Sequence, residues 1–218
     1  MAVHVPTVTR YHSIIRAILI MAYLAGIVGL QLPPLVDYFR PLSPVTLISS
    51  LVVLLLYHTD WRPSFYIYLA FTLLASYFIE VIGVHTESIF GHYAYGWGLG
   101  AQVWSVPPVI AVNWLILSYC IGSVCNELPA PAWLKVVLAA TVMVVLDLFI
   151  EPVAIQLDFW TWFGQPVPLQ NYLGWWLVSI LLFTVWYALP FRKDNRLAKW
   201  LLALQFTFFI GQFLFILL

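Results

Sequence analysis

Seven stretches of this chain are apolar enough, and all but one long enough, to cross a bilayer, whose hydrocarbon core takes about 20 residues of helix. They run over Ser13–Leu32, Ser43–His58, Ser64–Val84, Val103–Gly122, Ala132–Glu151, Tyr172–Leu189 and Leu197–Leu218. The second is the short one. Prolines cluster at the ends, at Pro33-Pro34, Pro41, Pro44, Pro63, Pro129, Pro131, Pro152 and Pro190, as residues without an amide donor should. Pro107-Pro108 stand apart, near the start of the fourth span. The fold class is therefore all-α: a polytopic membrane protein of seven transmembrane helices forming one domain over 1–218, without repeat, low-complexity tract or linker. With 63% hydrophobic and 17% aromatic residues, the composition lies far from that of a soluble domain. Span one is too long for the apolar core of a signal peptide and no small-residue cleavage site follows it, so it reads as a retained helix.

Cations set the expected orientation. Arg10, Arg16, Arg62, Lys135, Arg192, Lys193, Arg196 and Lys199 fall on one side and Arg40 alone on the other, which places the N-terminus inside and the C-terminus outside. Zero net charge argues against nucleic acid as a partner. Cys120 and Cys125, the only cysteines, have no ligand-type neighbours at metal spacing and read as free, buried thiols.

Against this background three acids stand out: Glu80, Asp147 and Glu151, inside or at the edge of apolar spans. A charged carboxylate at membrane depth costs roughly 2.5–3.5 kcal/mol on insertion scales, so a chain that keeps three has a use for them. At 1.5 Å per residue, Glu80 lies about 27 Å along its span from Arg62, and Asp147 and Glu151 about 18 and 24 Å from Lys135. All three occupy the outer third. Asp147 and Glu151, four apart, project from one helical face, and Ser76 and Tyr77 lie one turn below Glu80. Like charges in a low-dielectric pocket do not ionise together cheaply, so at least one carboxyl keeps its proton and is a candidate general acid. The competing reading is that the acids merely pair with Tyr, Trp or Asn donors and lock helices together. Three at one depth, beside the two long connections Val84–Gln102 and Pro152–Asn171, exceed that need.

Those connections carry Tyr93, Tyr95, Trp160, Trp162, Asn171 and, just beyond, Trp175, an aromatic density suited to an interfacial belt or, collectively, to stabilising a cation. Asn113 and Trp114 in span four are candidates for the same cavity. His85, Glu87 and His92 are close in sequence, but H-x-E-x4-H matches no helical zinc motif and five histidines are too few for a diiron membrane oxygenase, so no metal is expected. His4, His12 and His58 read as interfacial. A retinal protein needs a lysine in the middle of the last span, whereas Lys199 sits at its start. A proton-coupled transporter stays open as an alternative, although no acid continues the row through spans three or five.

The segments Glu80-Val81-Ile82-Gly83-Val84, Phe90-Gly91-x-Tyr93-x-Tyr95, Val106-Pro107, Trp114, Asp147, Glu151-Pro152-Val153, Trp160-x-Trp162 and Pro168-Leu169-Gln170-Asn171-Tyr172-Leu173-Gly174-Trp175 resemble a known family. It is that of the membrane carotenoid biosynthesis proteins, which includes the CruF-type carotenoid 1,2-hydratases and the bisanhydrobacterioruberin hydratases. The likeness covers Ser76 to Trp176. It departs at Glu151, where the family pattern has Asp, and at Phe163-Gly164-Gln165-Pro166, where it has a Tyr-containing approach. The resemblance implies a cofactor-independent hydratase, located in a prokaryotic cell membrane, that adds water across the terminal 1,2 double bond of an acyclic carotenoid. Its partners are then the membrane-dissolved carotenoid, water and the lipid bilayer, with other carotenoid biosynthesis enzymes as candidates. It implies Asp147 or Glu151 as proton donor, with the other, or Glu80, orienting water. Tyr77, Tyr93, Tyr95, Asn113, Trp114, Trp160, Trp162, Asn171 and Trp175 would bind substrate, and of these Tyr93, Tyr95, Trp160, Trp162 and Trp175 would shape the cavity and shield the cation. A lycopene-type cyclase, which begins with the same protonation, is the closest alternative.

Overall fold

The computed structural model describes residues 11–164 and 166–218. His4, Arg10 and Gln165 lie outside the described residues. The helices are α1 (His12–Gly29), α2 (Pro33–Phe39), α3 (Ser43–Leu56), α4 (Pro63–Thr86), α5 (Val109–Asn126), α6 (Ala132–Gln156), α7 (Leu169–Ala188) and α8 (Ala198–Leu217), with a 3-10 turn at Arg40–Leu42. Two short strands, β1 (Tyr93–Tyr95) and β2 (Trp160–Trp162), complete the fold. Counting α2, the turn and α3 as one span, seven helices among the described residues are long and apolar enough to cross a membrane, and the protein is an integral membrane protein.

Four boundaries differ from the sequence reading, three of them through proline. The second span is not short but runs over Pro33–Leu56, 24 residues, because prolines in a first turn forfeit no hydrogen bond and therefore do not stop the helix they begin. Pro107-Pro108 are no exception, since α5 starts only at Val109, and residues 103–106 form a tight turn. Pro152 does not end α6, which continues to Gln156; the missing amide costs one bond within the last two turns. Last, α7 begins at Leu169, so Asn171 lies in its first turn rather than in a loop.

Helix α5 is the hub. It is buried over 83% of its length and packs against α3, α4, α6, α7 and α8, whereas α1 leans on α8 at the periphery. Its residues suit this place: Ser118 bonds Tyr68 of α4 at 2.9 Å, and Cys120 and Cys125 are both buried and free. The lipid-facing second span is the more apolar of the two. Lipid tails are as apolar as Leu, so within a bilayer the interior is where small and polar residues go.

At the end where α4 and α6 begin, His58 is 4% exposed rather than interfacial. Its ring stacks on Phe65 at 3.5 Å, and its nitrogens bond the Tyr119 hydroxyl at 2.7 Å and the Asp60 carbonyl at 2.9 Å. Burial holds the His58 pKa below 6.5, so the unfolded chain takes up a proton there before the folded one does. The stability linked to His58 is complete above 6.5 and is lost as pH falls through that value, by at most about 1.4 kcal/mol per pH unit. Melting temperatures in lipid from pH 7.5 to 5.5 should decline for the wild type and flatten for His58→Gln; equal slopes would remove His58 from the account.

At the opposite end the two long connections pair with each other. β1 and β2 run antiparallel, with Tyr93 facing Trp162, Ala94 facing Thr161 and Tyr95 facing Trp160. The ribbon is anchored where the Gly96 amide donates to the Phe159 carbonyl at 2.9 Å and that of Gly98 to the Asp158 carbonyl at 3.1 Å.

Candidate active site

Successive strand residues point to opposite faces, so Tyr-Ala-Tyr and Trp-Thr-Trp each send two aromatics one way and a small residue the other. The four rings point down onto the helix ends, and each strand serves one acid. The Tyr93 and Tyr95 hydroxyls both donate to Glu80 Oε2, at 2.7 and 2.8 Å. The Trp160 and Trp162 indoles both donate to Glu151 Oε2, at 3.0 and 2.8 Å. A further donor reaches the second oxygen of each acid: Trp114 Nε1 to Glu80 Oε1 at 2.9 Å, and Asn171 Nδ2 to Glu151 Oε1 at 2.8 Å. Glu80 and Glu151 are thus 3% and 2% exposed with three donors apiece, the condition under which a buried carboxylate can be kept. Burial, and next the neighbouring Glu80, push the phenols of Tyr93 and Tyr95 far above their ordinary range, so both remain O–H groups.

Asp147 is placed differently. Fully buried one turn below Glu151, it receives, among the described residues, only the other hydrogen of Asn171 Nδ2, at 3.1 Å, and its Oδ1 has no partner there. Asn171 therefore spends one amide on two acids of a neighbouring helix, which its place in the first turn of α7 makes possible. Close approach of α7 to the first connection is permitted by Gly174, where a Cβ would stand 2.7 Å from the Ile89 carbonyl.

Between Glu80 and Glu151 lies a cavity walled by Tyr93, Tyr95, Trp160, Trp162 and Trp175, with Phe90, Ile110 and Asn171 completing it. Including its open mouth its volume is about 260 Å³, and its interior has room for one ordered water. Asp147 is not on its wall. Trp114 stands behind Glu80, its ring stacked on Trp175 at 4.1 Å.

Two expected site residues are elsewhere. Tyr77 turns away from the cavity and donates to the Val103 carbonyl at 2.7 Å, because position 77 is rotated off the face that carries Ser76 and Glu80. Asn113 is buried on α5 but does not reach the wall. Phe90 and Ile110 line the cavity without being expected there from the sequence; Phe90 lies in the motif leading to Tyr93, while Ile110 carries no signal beyond its apolarity. His92 faces Glu87 at 3.4 Å, both half exposed, and His85 bonds the Val81 carbonyl of its own helix, so this trio lies outside the cavity.

The family model described as carotenoid biosynthesis protein matches residues 42–218, a range holding all three acids and both strands. The chain belongs to this family. Within the curated proteins, bisanhydrobacterioruberin hydratase of Haloarcula japonica is 33% identical over 126 residues, covering 50% of this chain and 41% of that protein. The chain thus spans about two fifths of that relative's length. No solved structure matches the chain.

Proposed function

We propose that this family member is a carotenoid 1,2-hydratase of a prokaryotic cell membrane, a cofactor-independent hydro-lyase that adds water to the terminal double bond of an acyclic carotenoid end group. The observation that supports this reading best is the pair of buried glutamates facing one aromatic cavity with room for a single water. Hydration requires a proton for C2, tolerance of the tertiary cation left at C1, and one water delivered to it. The glutamates supply the acid and the counter-charge, and the ring faces supply quadrupoles for the cation, worth up to about 2 kcal/mol each when desolvated. The name of the haloarchaeal relative points to the same chemistry. An isoprenoid end group is larger than the water-sized space, so the aromatic walls part to admit it, and a bilayer-dissolved polyene arrives laterally between helices. In this reading Glu80 and Glu151 act on the substrate, and Asp147, off the wall, sets Asn171 and through it Glu151.

The test is a pigment analysis. Cells that accumulate lycopene or another acyclic carotenoid and express the chain should yield product heavier by one water per reacted end. A pigment profile unchanged across several acyclic substrates would overturn the proposal, and a product of unchanged mass would indicate cyclisation instead.

A further inference from the structure

The two glutamates have the same number of donors but not the same kind. All three groups on Glu151 are N–H donors, two indoles and one amide; the indoles cannot accept, and Asn171 could turn its Oδ1 to Glu151 only by withdrawing its NH₂ from Asp147. Both lone pairs of its Oε2 are engaged by Trp160 and Trp162. A proton placed on Glu151 weakens three bonds that have no other acceptor within the ribbon. Glu80 differs in one respect. Two of its partners are hydroxyls, and a phenol accepts as readily as it donates. When Glu80 is protonated on Oε2, one tyrosine rotates, accepts that hydrogen, and turns its own towards the cavity it lines, which has room for the reacting water. Glu80 therefore has a partner that accepts its hydrogen without stranding a donor, whereas Glu151 gains an acceptor only if Asp147 loses the Asn171 amide.

We infer that Glu80 is the carboxyl that holds and delivers the proton, that Glu151 stays ionised throughout as the counter-charge to the carbocation, and that Tyr93 and Tyr95 form a hydroxyl relay that reloads Glu80. This reverses the donor implied by the family resemblance and rests on the hydratase reading. The balance closes within the cavity. The Glu80 carboxyl gives its proton to C2 as the π pair forms the C2–H bond, leaving the cation at C1 opposite Glu151. The water oxygen then bonds C1. Its surplus proton passes to a tyrosine oxygen while that hydroxyl's own hydrogen returns to Glu80 Oε2. One water is consumed, the enzyme ends as it began, and no proton crosses the apolar part of the bundle.

The assignment can be read without any pigment. In the full chain in lipid vesicles, infrared difference spectra between H₂O and D₂O should show the carbonyl stretch of a protonated carboxyl. That band should vanish in Glu80→Gln and remain in Glu151→Gln, with Asp147→Asn identifying any contribution from Asp147. A wild type without such a band, a band lost in Glu151→Gln but kept in Glu80→Gln, or one lost in both would overturn the split. Should a glutamine variant fail to fold, the hydroxyl variants decide: Tyr93→Phe or Tyr95→Phe should shift the band and Trp162→Phe should leave it in place, and the reverse would overturn the inference. Hydration should fall in either single Tyr→Phe variant, where one relay hydroxyl remains, and at least tenfold further in the double variant, where none does. If the band splits as stated while no pigment gains water, the hydratase reading falls and the assignment stands; if water is gained with the band on Glu151, the reverse holds.

Discussion

Glu80→Gln is expected to lower carotenoid hydration by about 10²–10⁴-fold, the usual contribution of a positioned general acid, equivalent to about 3–5 kcal/mol of barrier. Glutamine fills the same space but has no proton to transfer. Its amide oxygen can still accept the Tyr93 and Tyr95 hydroxyls, which leaves its NH₂ against the Trp114 indole N–H, donor to donor, where the carboxylate had accepted at 2.9 Å. An unsatisfied buried donor costs about 1–3 kcal/mol, so a measurable drop in melting temperature should accompany the loss of activity. Asp147→Asn is the informative control. Its amide oxygen can keep the Asn171 bond and its side chain is not on the cavity wall, so hydration should fall far less. Rates in vesicles, read as product by mass, would remove Glu80 from the mechanism if Glu80→Gln turned over like wild type.

Gly96→Ala should abolish hydration for a geometric reason while leaving the seven spans folded. A Cβ at position 96 would stand 2.3 Å from the Asp158 carbonyl oxygen and 2.5 Å from Asp158 Oδ1. Backbone on both sides of this contact has nowhere to go: the Gly96 amide bonds Phe159, and Asp158 itself sits at φ 57°. The ribbon must lift, and with it Tyr93, Tyr95, Trp160 and Trp162 leave both glutamates together. Overpacking of this kind costs about 1–3 kcal/mol, and here the loss is concentrated on the element that delivers four of the six donors to Glu80 and Glu151. Circular dichroism should show unchanged helix content, and Gly211→Ala on α8, where a Cβ meets Ile27 at an ordinary 3.5 Å, should be silent. Full activity in Gly96→Ala would show that the ribbon is not needed.

The class of this molecule and the level of its acids are written in linear features. Apolar runs of bilayer length admit only helices, and a rise of 1.5 Å per residue carries Glu80, Asp147 and Glu151 to one end whatever their neighbours are. The i, i+4 spacing likewise stacks Asp147 under Glu151 without reference to any other helix. Alternation in Tyr-Ala-Tyr and Trp-Thr-Trp is visible too, once both are known to be strands, but strands of three residues leave no periodicity to detect. Which helix is the hub could not be read from hydropathy, because lipid rewards apolar surface outside as well as packing does inside, and α5 is less apolar than the span it shelters behind. Proline, a helix breaker by composition, marked beginnings rather than ends at Pro33, Pro44 and Pro63.

What each acid does depends on what touches it, and here the chain's order is silent. Trp114 reaches Glu80 across 34 residues and Asn171 reaches Glu151 across 20, through helix packing that no local pattern encodes. The pairing of two connections into one ribbon separates the donors into hydroxyls on one glutamate and N–H groups on the other. A carboxyl's chemistry is fixed by the donors and acceptors within about 3 Å of its oxygens, a distance defined only once the helices have packed.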